Sequence, residues 1–184
     1  MSTVHQGDCV LWLRGLPPGS ADALITDPPY SSGGAFRSDR TGSTAVKYLG
    51  HGSEESASGL ADFHGDNRDT RGQQGRPSSE CEYAVWGSKG AMPMDGSPHP
   101  GHVSCVASRD RIHQTEKPVA MLRALVRVVP SGGLVLDPFA GSGSLGEACA
   151  QEDRRYMGCE LSEHYAAAAG QRLSEVRPQL ALLR

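Results

Sequence analysis

The sequence predicts an α/β fold, a doubly wound and mostly parallel sheet within one domain. Three observations predict it. An apolar run, Leu134-Val135-Leu136, empties into a glycine-rich turn, Gly141-x-Gly143-x-x-Gly146, that opens a helix. A second apolar strand, Arg155–Cys159, follows that helix and ends on an acid, Glu160. A third, Ala21–Thr26, runs into Asp27-Pro28-Pro29-Tyr30, where two prolines forbid any continuation of a central ladder.

From the N-terminus, Thr3–Gln6 is a short extended start. Cys9–Leu16 carries a compact apolar face that Pro17, Pro18 and Gly19 then break. The short connections to the Ala21–Thr26 strand argue for a β-α-β arrangement. Residues 31–112 are rich in Gly, Ser, Asp and Arg, and Glu82–Trp86 is their one clear strand candidate. Turn signals follow at Gly87, Gly90, Pro93, Gly96, Pro98 and Pro100. A loop region of that length inside a compact domain is normally functional or mobile. Pro118 sits near a helix start, and Val119, Leu122, Val126 and Val129 give one apolar face at helical spacing. Pro130-Ser131-Gly132-Gly133 turns the chain into the Leu134 strand, which reads as buried on both faces. The helix after the glycine turn runs to about Gln151, and Ser162 caps a last helix rich in alanine.

An apolar fraction of 38% and a charged fraction of 21% exclude wholesale disorder. The net charge of −3 gives no global attraction to nucleic acid, so any DNA contact must rest on a local basic surface. The five cysteines include no C-x-x-C pair, and neither a signal peptide nor a membrane-length apolar run is visible. Reduced thiols in a cytoplasmic protein are the expectation. His99, His102 and Cys105, with Cys81 as a fourth, form a spacing that matches no common zinc pattern; they read as loop residues, and no metal is expected.

The chemistry lies in two turns. A strand that delivers its carboxyl end into a glycine-rich turn lets backbone approach a ligand closely, with helix N–H groups facing it. Glu160 lies near the offset of a ribose carboxylate. That pattern alone fits many cofactors, and also a tight turn with no ligand. Asp137-Pro138-Phe139 tilts the choice: an acid at the strand tip offsets sulfonium and ammonium charge but repels a pyrophosphate. A nicotinamide oxidoreductase is disfavoured further because no proton-transfer residue is suggested beside the turn. In the other turn, Asp27 and the Pro28 carbonyl can each accept one N–H of an exocyclic base amine. Nitrogen is thereby pushed towards tetrahedral geometry, with its lone pair aimed at a methyl donor. Tyr30 offers a ring on which an extruded base stacks, and the prolines hold the acceptors in place beforehand. In isolation the tetrapeptide is an ordinary Pro-rich turn; at a buried strand's end, in a chain with a cofactor turn, it is a strong signal.

The combination resembles the β class of DNA amino-methyltransferases, in which the catalytic motif precedes the cofactor half. Four stretches carry the resemblance: Gly7-Asp8-Cys9 with Leu24–Tyr30, Glu82–Gly90, His113–Pro118, and Asp137–Gly143. Residues 65–71, Gly-Asp-Asn-Arg-Asp-Thr-Arg, also resemble phage-type members. What the resemblance implies is a Rossmann-like, S-adenosylmethionine-dependent methyltransferase fold, permuted with the catalytic half first. One domain, 1–184, would hold a catalytic half at 1–30, a loop-rich insert and candidate target-recognition region at 31–112, and a cofactor half at 113–184. Catalytic roles fall by resemblance on Asp27, Pro28, Pro29 and Tyr30. The cofactor falls to Asp8 at its adenine amine, Glu160 at its ribose, Thr115, Lys117 and Pro118 near its methionine end, and Asp137, Pro138, Phe139, Ala140, Gly141, Ser142 and Gly143. For Asp8 a helix N-cap before Cys9 is an equal and compatible reading, and for Lys117 an exposed first-turn charge.

The implied reaction is direct in-line methyl transfer to N6 of a flipped adenine in double-stranded DNA, with no cysteine nucleophile. Asp27 at the first motif position favours adenine, because cytosine-N4 enzymes more often carry Ser there. Cytosine N4, a glutamine amide in a protein, and a catalytically dead cofactor- or DNA-binding fold remain as alternatives. The middle departs from the family pattern: only about ten residues separate the 65–71 stretch from the Glu82 strand. The sheet is therefore expected to be truncated beside the catalytic strand: either another subunit, as in a homodimer, covers the edge, or the fold is cut down, or the chain carries a deletion. Arg37, Arg40, Lys47, Arg68, Arg71, Arg76, Arg109 and Arg111 are candidate phosphate contacts as a group. Membrane association is not expected, and a restriction endonuclease partner is left open.

Overall fold

The computed structural model describes residues 2–28, 58–66, 82–90, 99–106 and 116–176. Along the chain these form β1 (Ser2–Gln6), α1 (Cys9–Arg14), β2 (Ala23–Leu24), β3 (Ser58–Asp66), β4 (Glu82–Gly87), β5 (His102–Val106), α2 (Val119–Val126), β6 (Leu134–Asp137), α3 (Ser144–Gln151), β7 (Arg155–Glu160) and α4 (Glu163–Glu175). Cys81, Pro29, Tyr30, Thr115 and the basic residues Arg37, Arg40, Lys47, Arg68, Arg71, Arg76, Arg109 and Arg111 lie outside the described residues.

The principal sheet has four strands in the order β1-β7-β6-β2, all parallel. All four residues of β6 are buried, as its uninterrupted apolar run requires, and this strand takes the interior of the sheet. The core lies beside it: Met121, Leu122 and Val126 of α2, Val129, Leu145, Ala148 and Cys149 of α3, and Tyr156 of β7 form one cluster. The Val119-Leu122-Val126-Val129 face thus packs inward, with Val119 at its margin. At the far end of α2 and α3, Glu152 receives Arg123 Nε at 2.6 Å and Arg127 Nε at 2.8 Å, and the Arg127 guanidinium holds its carboxyl below the usual range. Among the described residues, no helix is long and apolar enough to cross a membrane.

The strand-helix-strand start is present, with β1 and β2 parallel in one sheet and β7 and β6 standing between them. The second strand is shorter than the sequence suggested. The strand expected over Ala21–Thr26 keeps a regular ladder for two residues only, although Asp22 N donates to Leu134 O and Ile25 N to Leu136 O on either side. Residues 22–26 therefore track β6 to its tip. The other correction concerns the middle. A three-stranded sheet, β4-β3-β5, stands where the sequence suggested one strand among loops. His102 and Cys105 lie on β5 rather than in a loop, and Val103 and Cys105 pack against the core cluster. Their alternation with polar neighbours is the ordinary signature of a half-buried strand, concealed in the sequence by the prolines just before it.

Candidate active site

Each of the four parallel strands ends at the same side of the sheet and delivers an acid there. Asp8 follows β1, Asp27 follows β2, Asp137 ends β6 and Glu160 ends β7. The sheet order changes direction between β6 and β2, which is where open α/β sheets bind ligands. A cavity of about 990 Å³ opens at that point and is lined by all four acids. It is at the upper end of the range for small-molecule sites, which leaves room for a cofactor and a base together. The turn after β2 and the glycine turn, more than a hundred residues apart in the chain, therefore meet in one cavity.

The charge of the lining constrains what can bind. Asp8, Asp27, Glu116, Asp137 and Glu160 face Lys117, the one cation among the described lining residues. A pyrophosphate would meet mostly repulsion, whereas a sulfonium with an ammonium group meets the opposite charge. Ile25, Met121, Leu122 and Phe139 supply apolar walls for a nucleoside. The residues present fit S-adenosylmethionine.

The glycine turn is shaped by close approach. Gly143 is the N-cap of α3 at φ +82°, and a Cβ there would stand 2.9 Å from the Ala169 Cβ of α4. Gly141, at φ +52°, donates its N–H to Glu160 Oε2 at 2.9 Å, while Glu160 Oε1 accepts from Ser162 N at 2.9 Å. Glu160 thus pins the turn to the start of α4, and each of its oxygens keeps a second lone pair for a ligand hydroxyl. Asp8 caps α1, its Oδ1 accepting from Val10 N and Leu11 N at 2.9 Å, and it also lines the cavity. The helix-cap reading of Asp8 is thus met, and its place in the cavity wall is compatible with the other.

Asp137 is the most constrained acid. It is 4% exposed, and burial pushes its carboxyl up to about 6, against the lowering effect of three donors. Thr26 Oγ1 donates to its Oδ1 at 2.8 Å, Phe139 N to the same oxygen at 3.1 Å, and the Tyr156 hydroxyl to Oδ2 at 3.2 Å. On the open side, Lys117 Nζ stands 3.3 Å from Asp27 Oδ2, which brings the residues just before α2 to the turn after β2. Beneath the glycine turn, Arg172 of α4 pairs with Glu116 at 2.6 Å and donates to Ser144 Oγ, and Ser142 Oγ donates to Glu116 at 3.1 Å.

Of the residues expected at the site, Asp8, Asp27, Pro28, Lys117, Asp137, Pro138, Phe139, Ala140, Gly141, Ser142 and Glu160 line the cavity. Pro118 and Gly143 do not: Pro118 is the N-cap of α2, its carbonyl accepting from Met121 N and Leu122 N, and Gly143 is packed under α4. Lining residues that sequence reasoning passed over are Thr26, Glu116 and Tyr165, with Tyr83 and Val85 of β4. Thr26, Glu116, Tyr83 and Val85 each lie within a stretch that carries the family resemblance, which was a usable signal; Tyr165 had none. Burial pushes the Cys149 thiol up to about 12 and raises that of Cys159 too, which disfavours the thiolate at both.

A family model described as DNA methylase matches residues 64–171. A protein of Escherichia coli strain K12 named "Putative methylase YubD" is 33% identical, over 96% of this chain and 92% of its own length. Among solved structures, the M1.HpyAVI complex with SAM aligns with a TM-score of 0.67 at 19% identity, over 94% of this chain and 100% of that one. PvuII DNA methyltransferase, described as cytosine-N4-specific, aligns with a TM-score of 0.67 at 14% identity, over 93% and 86%. At such identities the two structures establish a common fold.

Proposed function

The chain belongs to the DNA methylase family, the N6-adenine and N4-cytosine DNA amino-methyltransferases, and we propose that its own acceptor is the exocyclic N6 of adenine in duplex DNA. The observation that supports this best is the position of Asp27: it lies at the tip of β2, in the same acid-lined cavity as the glycine turn. A carboxylate there accepts an N–H of a planar amine, and Asp rather than Ser at this position favours adenine. S-adenosylmethionine, when bound, supplies an electrophilic methyl group with a positively charged leaving centre.

The remaining roles fall to this chain's own groups. Asp27 accepts one N–H of the amine and the Pro28 carbonyl the other, which raises the nitrogen's nucleophilicity without a strong base. Tyr30, outside the described residues, is assigned the stacking ring on sequence alone. Glu160 and Asp8 hold the ribose and adenine of the cofactor, and Asp137 faces its positive end. Lys117, paired with Asp27, is assigned to the cofactor's carboxylate. The segment 31–112 is assigned to target recognition.

Transfer of labelled methyl to duplex DNA, followed by mass analysis of the nucleosides, is the test. N6-methyladenine is the expected product; N4-methylcytosine would move the acceptor to cytosine, and no modified base would remove the assignment. The Asp27→Ala variant should abolish transfer while holding cofactor affinity within about threefold, because the residue acts on the base. Equal loss of both would show that its role is misassigned.

A second reading is a cofactor-binding fold without catalysis. It is supported by the two-residue ladder of β2 and by the YubD alignment, which runs over 211 positions against a chain of 184 residues and so opens gaps within it. Calorimetric binding of the cofactor without transfer to any DNA would favour it.

A further inference from the structure

We infer that Thr26 and Tyr156 are positioning residues: their hydroxyls clamp the Asp137 carboxylate from opposite sides and so tie the loop that receives the base to the loop that holds the cofactor. The inference rests on the methyl-transfer reading above. Asp137 ends β6, between β2 on one side and β7 on the other. Thr26 reaches it from beyond β2 at 2.8 Å, and Tyr156 from β7 at 3.2 Å. Thr26 is also the residue immediately before Asp27, so the first of these bonds fixes where the catalytic carboxylate leaves the sheet.

Two features mark the arrangement as more than packing. The Tyr156 ring is fully buried, in a place where phenylalanine would fill the same volume; only the hydroxyl needs a polar partner, and it finds Asp137. The ring also passes over Gly158, where any side chain would collide with the hydroxyl and with the Ala140 Cβ. The path from β7 to Asp137 is kept open by the absence of a side chain. A buried carboxylate held by three donors has one orientation, and a shift of its partners is transmitted rather than absorbed.

The test uses the full chain and its Thr26→Val, Thr26→Ser, Tyr156→Phe and Gly158→Ala variants. The first readout is calorimetry of S-adenosylmethionine binding near neutral pH in buffers of different ionisation enthalpy, which counts protons released. Loss of a donor favours the protonated carboxyl, and a cation arriving beside it expels that proton. Thr26→Val and Tyr156→Phe should therefore each release more protons than the parent, with Thr26→Ser matching the parent. Among the described residues, the titratable groups that act on Asp137 are Asp27, Tyr156 and Cys149, and of these only Tyr156 is altered.

The second readout is kinetic. Thr26→Val should lower kcat roughly 10- to 100-fold through misplacement of Asp27 while cofactor Kd stays within about threefold, and Thr26→Ser should restore it. Gly158→Ala, whose Cβ would collide with the Tyr156 hydroxyl, should displace it from Asp137 and so reproduce the Tyr156→Phe proton count with both hydroxyls retained in the sequence. An unchanged proton count in both hydroxyl variants, or loss of kcat and affinity together without rescue by serine, overturns the inference. Should Thr26→Val fail to fold, Tyr156→Phe and Thr26→Ser decide it through the proton count alone. A parent protein that binds cofactor yet methylates no DNA removes the activity and leaves the clamp to be judged by that same count.

Discussion

Replacing Asp137 by asparagine should make the protein more stable and less able to bind its cofactor, and the two effects should depend on pH in a defined way. The carboxyl is pushed up to about 6 from an unfolded value of 3.8, with burial as the largest cause. Below the unfolded value both states carry the proton and the group contributes nothing. As pH rises the unfolded chain ionises first, and above the folded value the native state holds a charge it solvates poorly. A shift of about 2 units corresponds to roughly 3 kcal/mol of native-state destabilisation, fully present above about pH 7. The Asn side chain keeps an oxygen for Thr26 and for Phe139 N, and its amide can donate to a rotated Tyr156 hydroxyl. Urea unfolding of parent and Asp137→Asn at several pH values is the assay. The variant's advantage should grow from near zero at about pH 3 to about 2–3 kcal/mol at about pH 8. An advantage that is equal at both ends, or that reverses at high pH, would refute the premise that a buried charge only partly offset by its three donors sits at the tip of β6.

Two further substitutions separate the parts of the cofactor turn. Glu160→Ala removes a carboxylate that holds Gly141 N and Ser162 N, and cofactor binding should weaken by about 1–3 kcal/mol in calorimetry. Gly143→Ala imposes a left-handed backbone on a residue with a side chain and drives its Cβ against Ala169, so thermal unfolding should report about 1–3 kcal/mol of lost stability together with weaker cofactor binding. If Gly143→Ala leaves both unchanged, the close approach of α3 to α4 is not what shapes the turn.

What the sequence made legible was the part of the fold whose local and tertiary preferences agree. Leu134–Leu136 is apolar throughout and becomes the buried inner strand; the glycine turn supplies the positive φ that Gly141 and Gly143 adopt; Ser162 caps α4, its hydroxyl accepting from Tyr165 N. Asp137 and Glu160 could be placed at strand tips because each ends an apolar run. β3 and β5 were not legible. Ser58–Asp66 is a mixed run of polar and apolar residues, and in β5 the short alternation of Val103 and Cys105 is too brief to stand against the turn signals around it. Pairing between segments about forty residues apart supplies what the local pattern lacks, and no window on the sequence contains it. The clamp on Asp137 was hidden for a related reason. Thr26 looks like a strand residue and Tyr156 like a core aromatic, and only the parallel register of β2, β6 and β7 brings their hydroxyls to one carboxylate.

The same register explains why the two halves can stand in this order along the chain. A ligand at the carboxyl edge of a parallel sheet is held by strand tips, and a tip keeps its place whichever strand comes first in the polypeptide. Here β1 and β2, from the N-terminus, flank β7 and β6, from the C-terminus, and contribute Asp8 and Asp27 to a cavity whose other two acids are Asp137 and Glu160. What must be conserved under such a rearrangement is adjacency, above all that of β2 with β6. That adjacency rests on a short ladder, on the Asp22 carboxylate bound to Leu134 N at 2.7 Å, and on the Thr26–Asp137 bond. The Asp22 and Thr26 side chains therefore take over at the two ends of β2 the work that a longer strand would do with its backbone.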